Sequence, residues 1–179
     1  MRRMKTLVRA AAVAAASVLV ASCAGFKQEV DSMFPGGNGL GAQLRSPVSA
    51  ATGVVRVYDY RDGVQVQLSI DNLLPGQYRI AIHENGNCSS HNLFSAGSAW
   101  APPGWTKPAG DLLPGFTANN EGNENGYVAY IKGVSTDGPL SLRGKSVVIH
   151  KGYTIDEAFP GQPNNRMACG VLVPNEPLT

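Results

Sequence analysis

From Val64 to Asp71 the side chains alternate without a break. Val64, Val66, Leu68 and Ile70 are apolar, while Gln65, Gln67, Ser69 and Asp71 are polar. Successive side chains of an extended chain point to opposite faces, so this period of two predicts a strand with one buried face. The run from Gly53 to Tyr60 is rich in β-branched and aromatic residues, and Arg61-Asp62-Gly63 reads as the hairpin turn between the two. Pro75-Gly76 then leads into a strand in which Tyr78, Ile80 and Ile82 form an apolar face. Arg79, Ala81 and His83 share the other face. Further strands are expected over residues 126–132, 140–142, 147–151 and 167–173, and no helix of useful length is expected anywhere.

Two long irregular stretches interrupt this pattern, from Cys88 to about Asn125 and from Gly152 to Asn165. The first carries Trp100, Pro102, Pro103, Trp105 and Pro108. Loops of this length in a compact domain are functional or are pinned by a covalent link. About eight short strands with regular turns and two long loops mean an all-β sandwich or flattened barrel. Composition supports this: 43% apolar and only 16% charged residues, with 21 glycines and 12 prolines, exclude a helical bundle and a highly charged disordered chain.

The N-terminus changes the charge balance. Residues 1–9 are basic, and Ala10 to Val20 form an apolar run too short for a comfortable membrane span. Val20-Ala21-Ser22-Cys23 follows, and it resembles the bacterial lipobox, in which the cysteine is lipidated and becomes the mature N-terminus. The expected organisation is a signal peptide over 1–22, lipidated Cys23 and a flexible tether over 23–45, and a barrel domain over 46–179. Ala24 is similar to the residue after the cysteine in lipoproteins sorted to the outer membrane. The expected location is therefore the outer membrane of a Gram-negative bacterium, with the domain facing periplasm or cell surface and membrane contact made through the anchor on Cys23. Removing Arg2, Arg3, Lys5 and Arg9 leaves eleven basic against thirteen acidic residues, a net of −2. No basic stripe remains, so nucleic acid is not an expected partner. With Cys23 used by lipid, Cys88 and Cys169 are left to form one disulfide, as an oxidising compartment favours, or to remain a pair of buried thiols.

Several motifs together carry a resemblance to the Cu,Zn superoxide dismutase family. Leu74-Pro75-Gly76 looks like the approach to its copper-binding strand, Cys88 with Ser95-Ala96-Gly97 like its disulfide loop, and Gly110-Asp111-Leu112 like the end of its zinc loop. Val148-Ile149-His150 is similar to a later copper-ligand strand, and Arg166-Met167-Ala168-Cys169-Gly170-Val171 to the C-terminal signature. The resemblance covers roughly Val48 to Val173. It implies a Greek-key β-barrel, a Cys88–Cys169 disulfide and, for the family, copper held by four imidazoles beside a zinc ion.

The ligand set is depleted. The chain has three histidines, His83, His91 and His150, so a four-imidazole copper site fails on the count alone. By the resemblance, His83 and His150 match two copper ligands, and Asp111 is the lone remnant of the zinc set. Ala81 stands where the first ligand of the His-x-His pair belongs, Ala99 at the bridging histidine and Pro108 at a zinc histidine. His83 and His150 are then hydrogen-bonded strand residues or a residual copper site, with His91 as an outlying third ligand. Zinc is not expected. Arg166 matches the family's substrate-guiding arginine, and without copper its expected work is hydrogen bonding the disulfide loop. Trp100 and Trp105 either pack the loop against the barrel or offer a contact to an envelope partner or ligand. The expected function is a non-catalytic binding or structural lipoprotein with no cofactor. The alternatives are a copper-binding protein using His83 and His150, or a residual copper-dependent superoxide dismutase.

Overall fold

The computed structural model describes residues 39–155 and 164–175. The lipobox, Cys23 and the first part of the expected tether lie outside the described residues, as does part of the second long loop. The described chain forms nine strands: β1 (Leu40–Arg45), β2 (Thr52–Tyr60), β3 (Gly63–Asp71), β4 (Gly76–His83), β5 (Phe116–Ala118), β6 (Glu124–Lys132), β7 (Ser146–Lys151), β8 (Arg166–Val171) and β9 (Val173–Pro174). All pair antiparallel, in the spatial order β5-β4-β7-β8-β1-β2-β3-β6, with β9 added to β1. Neighbours in sequence, β3 and β4, and again β6 and β7, lie far apart in that order, and these two crossovers make the Greek key. The barrel is nearly closed: β5 and β6, at the two ends of the order, meet through Phe116 and Tyr127, whose rings pack edge to face at 5.8 Å.

Alternation becomes burial as expected. Val64, Val66, Leu68 and Ile70 of β3 enter the core together with Val55 and Val57 of β2 and Tyr78, Ile80 and Ile82 of β4. Each such apolar side chain contributes roughly 1.5–3 kcal/mol on burial. The hairpin turn holds Arg61 in the left-handed region, at φ 54°, so that Tyr60 pairs directly with Gly63.

Three sequence expectations need correction. The tether does not reach residue 45, because Leu40–Arg45 is a full strand: Leu40, Ala42 and Leu44 are buried on alternate positions, and β1 pairs with β2 from Leu40↔Val57 to Arg45↔Thr52. The barrel therefore begins at Leu40 and not at residue 46. Residues 140–142 are not a strand; one isolated bridge, Ser135↔Ser141, closes a turn there. The first long loop contains β5 and two short 3-10 turns, Phe94–Ala96 and Ala109–Leu112.

That loop is what positions the site. It lies over the outer face of β4 and β7, so Ser146, Val147, Val148, Ile149 and His150 are buried whichever way they point. Val147 and Ile149 join the barrel core. Val148 packs with Leu93, Ala96 and Cys169 in a second cluster, with Cys88 against it. The loop is stitched down by backbone bonds from Glu84 N to Ser98 O (3.0 Å) and Trp100 N to Ile82 O (2.8 Å). Trp100 is buried in the core at 8% exposure, so its ring packs the loop and presents no outward contact. Trp105 is half-buried against the same core.

Candidate functional site: a head-to-head histidine pair

The register of β4 and β7 brings His83 and His150 together. Ala81 pairs with Val148, Arg79 with His150, and His83 with Ser146. Directly opposed residues share a face, so Ala81, His83, Val148 and His150 all project from the outer side of the sheet. The Ala81–Val148 pair stands between the two histidines along the ladder. Their Nε2 atoms end 3.0 Å apart, and both residues are buried, at 1% and 0% exposure.

The rings are nearly parallel, 14° apart, with centroids 5.2 Å apart. That separation is close to the nitrogen–nitrogen gap plus two ring radii. The rings therefore meet end to end, and the ε-nitrogens point at each other along the line joining them. At the other ends, His83 Nδ1 lies 2.9 Å from Gly97 O and His150 Nδ1 lies 2.9 Å from Asn165 Oδ1. Asn165 is fixed with that oxygen toward the ring because its Nδ2 donates to Lys151 O and Thr154 O. Gly97 holds φ 77°, a conformation glycine adopts without strain, and its carbonyl also accepts from Arg166 Nη2 at 2.9 Å.

These distances set a proton count. Three contacts, one at each Nδ1 and one between the ε-nitrogens, each require one ring hydrogen, and two neutral imidazoles supply two. A third proton would satisfy all of them, but burial holds His150 down to about 4, outweighing the hydrogen bond to Asn165 that pulls the other way; His83 nearby lowers it further. His150 is therefore neutral at pH 7 and supplies a single ring hydrogen.

The pair suits a proton better than a metal. An ion on the line between the ε-nitrogens would lie at half of 3.0 Å from each, well inside the roughly 2.0 Å of a metal–imidazole bond. The other ligand positions are filled by groups that cannot coordinate. Ala99 forms a backbone bridge with His83. Ala81 lies against the backbone of Gly110, where a Cβ on residue 110 would come within 2.8 Å of Ala81 Cα. Asp111 and His91 are exposed, and among the described residues no three His, Cys, Asp or Glu side chains converge on a point that could hold an ion. The residues present do not fit a copper–zinc centre.

The family assignment rests on more than motifs. The family model for copper/zinc superoxide dismutase matches residues 51–172. The chain belongs to this family. A Cu-Zn superoxide dismutase of Caulobacter vibrioides is 30% identical over 136 residues, spanning 67% of this chain and 77% of that protein. The disulfide is formed between Cys88 and Cys169, as the family resemblance implied.

Arg166 is committed to the loop. Its Nη1 donates to Leu93 O at 2.8 Å and its Nη2 to Gly97 O at 2.9 Å, and the guanidinium stacks 5.2 Å from the centroid of Phe94. Arg166→Ala is expected to cost about 2 kcal/mol in urea denaturation, since charged hydrogen bonds are worth roughly 1.5–3 kcal/mol each and water recovers part of the loss. Arg166→Lys should restore only a fraction, because an ammonium cannot fork to two carbonyls. A loss below about 0.5 kcal/mol for the alanine variant would mean the arginine does not brace the loop. Asn165 and the Gly97 carbonyl, which orient the two rings, went unrecognised in the sequence. Asn165 stands beside Arg166 in the C-terminal motif, but nothing in its spacing announces a partner fifteen residues away.

Proposed function

We propose that this protein is an envelope lipoprotein anchored through Cys23, whose superoxide dismutase-like domain is a non-catalytic binding or structural module. The observation that carries this reading is the end-to-end contact of His83 and His150 at 3.0 Å, with alanines, Ala81 and Ala99, at the other two copper-ligand positions. In such a barrel the two histidines act as an internal clasp, tying β4 to β7 and, through Gly97 and Asn165, to the loop and to the residues leading into β8. The family's dismutation needs a redox metal with several ligands and an open position, and these side chains do not supply them. Membership of the family fixes the fold and leaves the activity to the site. A partner, an envelope protein or ligand, would meet the outward parts of the long loop around half-exposed Trp105, because Trp100 is buried.

The test is metal content and superoxide removal by the purified protein after exposure to copper and zinc and gel filtration. We expect neither retained metal nor turnover above buffer. Stoichiometric copper that disappears in His83→Ala/His150→Ala would overturn the reading. It would favour the second one, copper held between the two imidazoles. What favours that alternative is the anchoring of both δ-nitrogens on oxygens, which aims both ε-nitrogens at one point, as outer partners of metal-binding histidines do. The rings would then have to move apart to admit the ion.

A further inference from the structure

A cavity of about 290 Å³ opens beside the disulfide and away from the histidine pair's own contacts. Gln43, Arg45, Pro47, Leu93 and both cysteines line it. Its volume is at the lower end of small-molecule sites, about 300–1,000 Å³. Arg45 of β1 is directly opposite Cys169 of β8 in the strand register. Opposed residues of an antiparallel ladder share a face, which places the guanidinium on the disulfide side of the strand. Arg45 is exposed and makes no ion pair among the described residues. Of the two cysteines, Cys169 is 3% exposed and Cys88 is half-buried, so Cys88 offers the more approachable sulfur. Open space, an uncompensated cation and a reachable disulfide thus meet at one place.

We propose that this cavity docks a small anionic thiol, of the class of carboxylate-bearing cysteinyl peptides, whose thiolate exchanges with the disulfide at Cys88. A bond forms between the incoming sulfur and Cys88 Sγ as the Cys88–Cys169 bond breaks. The electron pair of the broken bond leaves on Cys169 Sγ, which then takes a proton from water. One disulfide is consumed and one is formed, so no further oxidant or reductant enters. Arg45 draws in the carboxylates and stabilises the negative charge developing on Cys169. Exchange reaches beyond the cavity, since the loop that begins at Cys88 carries the Leu93 and Gly97 carbonyls that hold Arg166 and His83.

The purified full-length protein is treated with reduced glutathione, neutral 2-mercaptoethanol or cationic cysteamine. Disulfide opening is followed by acid quench and mass spectrometry, and each rate is normalised to that thiol's rate with a small soluble disulfide. Glutathione should be favoured over 2-mercaptoethanol by about threefold to tenfold at low salt, the effect of one nearby charge. The preference should shrink in high salt, vanish in Arg45→Gln, persist in Arg45→Lys, and leave the adduct on Cys88. Equal normalised rates, a preference that survives Arg45→Gln, an adduct on Cys169, or opening only when urea unfolds the barrel would each overturn the proposal.

Discussion

Replacing Cys88 and Cys169 together with alanine is expected to lower the unfolding free energy by about 4 kcal/mol, read from urea denaturation of the oxidised parent and the double variant. The bridge joins residues 81 positions apart. Closing so long a loop removes more freedom from the unfolded chain than a short bridge does, and losses of about 2–5 kcal/mol are usual when a native disulfide is deleted. The native state loses something as well, because the bridge fastens the long loop to β8. Around the start of β8 the loop is also held by Arg166 on Leu93 O and Gly97 O and by Asn164 Nδ2 on Asn92 O at 2.9 Å. A cost under about 1 kcal/mol would mean that those polar contacts and the apolar cluster already fix the loop.

Acid should act through His150. In the unfolded chain its imidazole takes up a proton near pH 6.5, whereas burial delays this to about 4 in the folded barrel. Between those values the unfolded state holds more protons, so stability falls as pH falls, by about 3 kcal/mol across the window. Above pH 6.5 this contribution is fully present. His150→Gln should flatten the profile between pH 6.5 and 4, measured as the urea midpoint at each pH. An unsloped profile in the parent protein would show that the folded pair binds its proton as readily as the unfolded chain does, and would sink this account.

Much of the fold was legible because strand alternation and burial are the same fact seen from two sides. β3 and β4 could be read residue by residue, down to His83 lying on the face opposite Ile80 and Ile82. β1 was not, although Leu40, Ala42 and Leu44 alternate properly. Gly39 and Gly41 beside them look like linker, and their reason is tertiary: Tyr58 and Asn175 press where their side chains would be. Trp100 was ambiguous for a similar reason, since nothing in a proline-rich stretch says which ring the core will take.

At the site, the loss of ligands could be counted from the sequence, since three histidines cannot make four imidazole ligands. The meeting of His83 and His150 could not be read. It depends on strand register and on two rotamers, across 67 residues of sequence. The proton count of the pair depends in turn on Asn165 and Gly97, neither of which is a ligand or titratable.

The contact between Gly110 and Ala81 reaches back to the gene. A codon change that gave residue 110 even one side-chain carbon would press that carbon to 2.8 Å from Ala81 Cα and 3.0 Å from Ile82 N, and backbone atoms cannot swing aside. Overpacking of this kind costs roughly 1–3 kcal/mol. Selection acting one substitution at a time meets that loss at the first step, so position 110 is held to glycine by packing alone, whatever becomes of the side chains beside it.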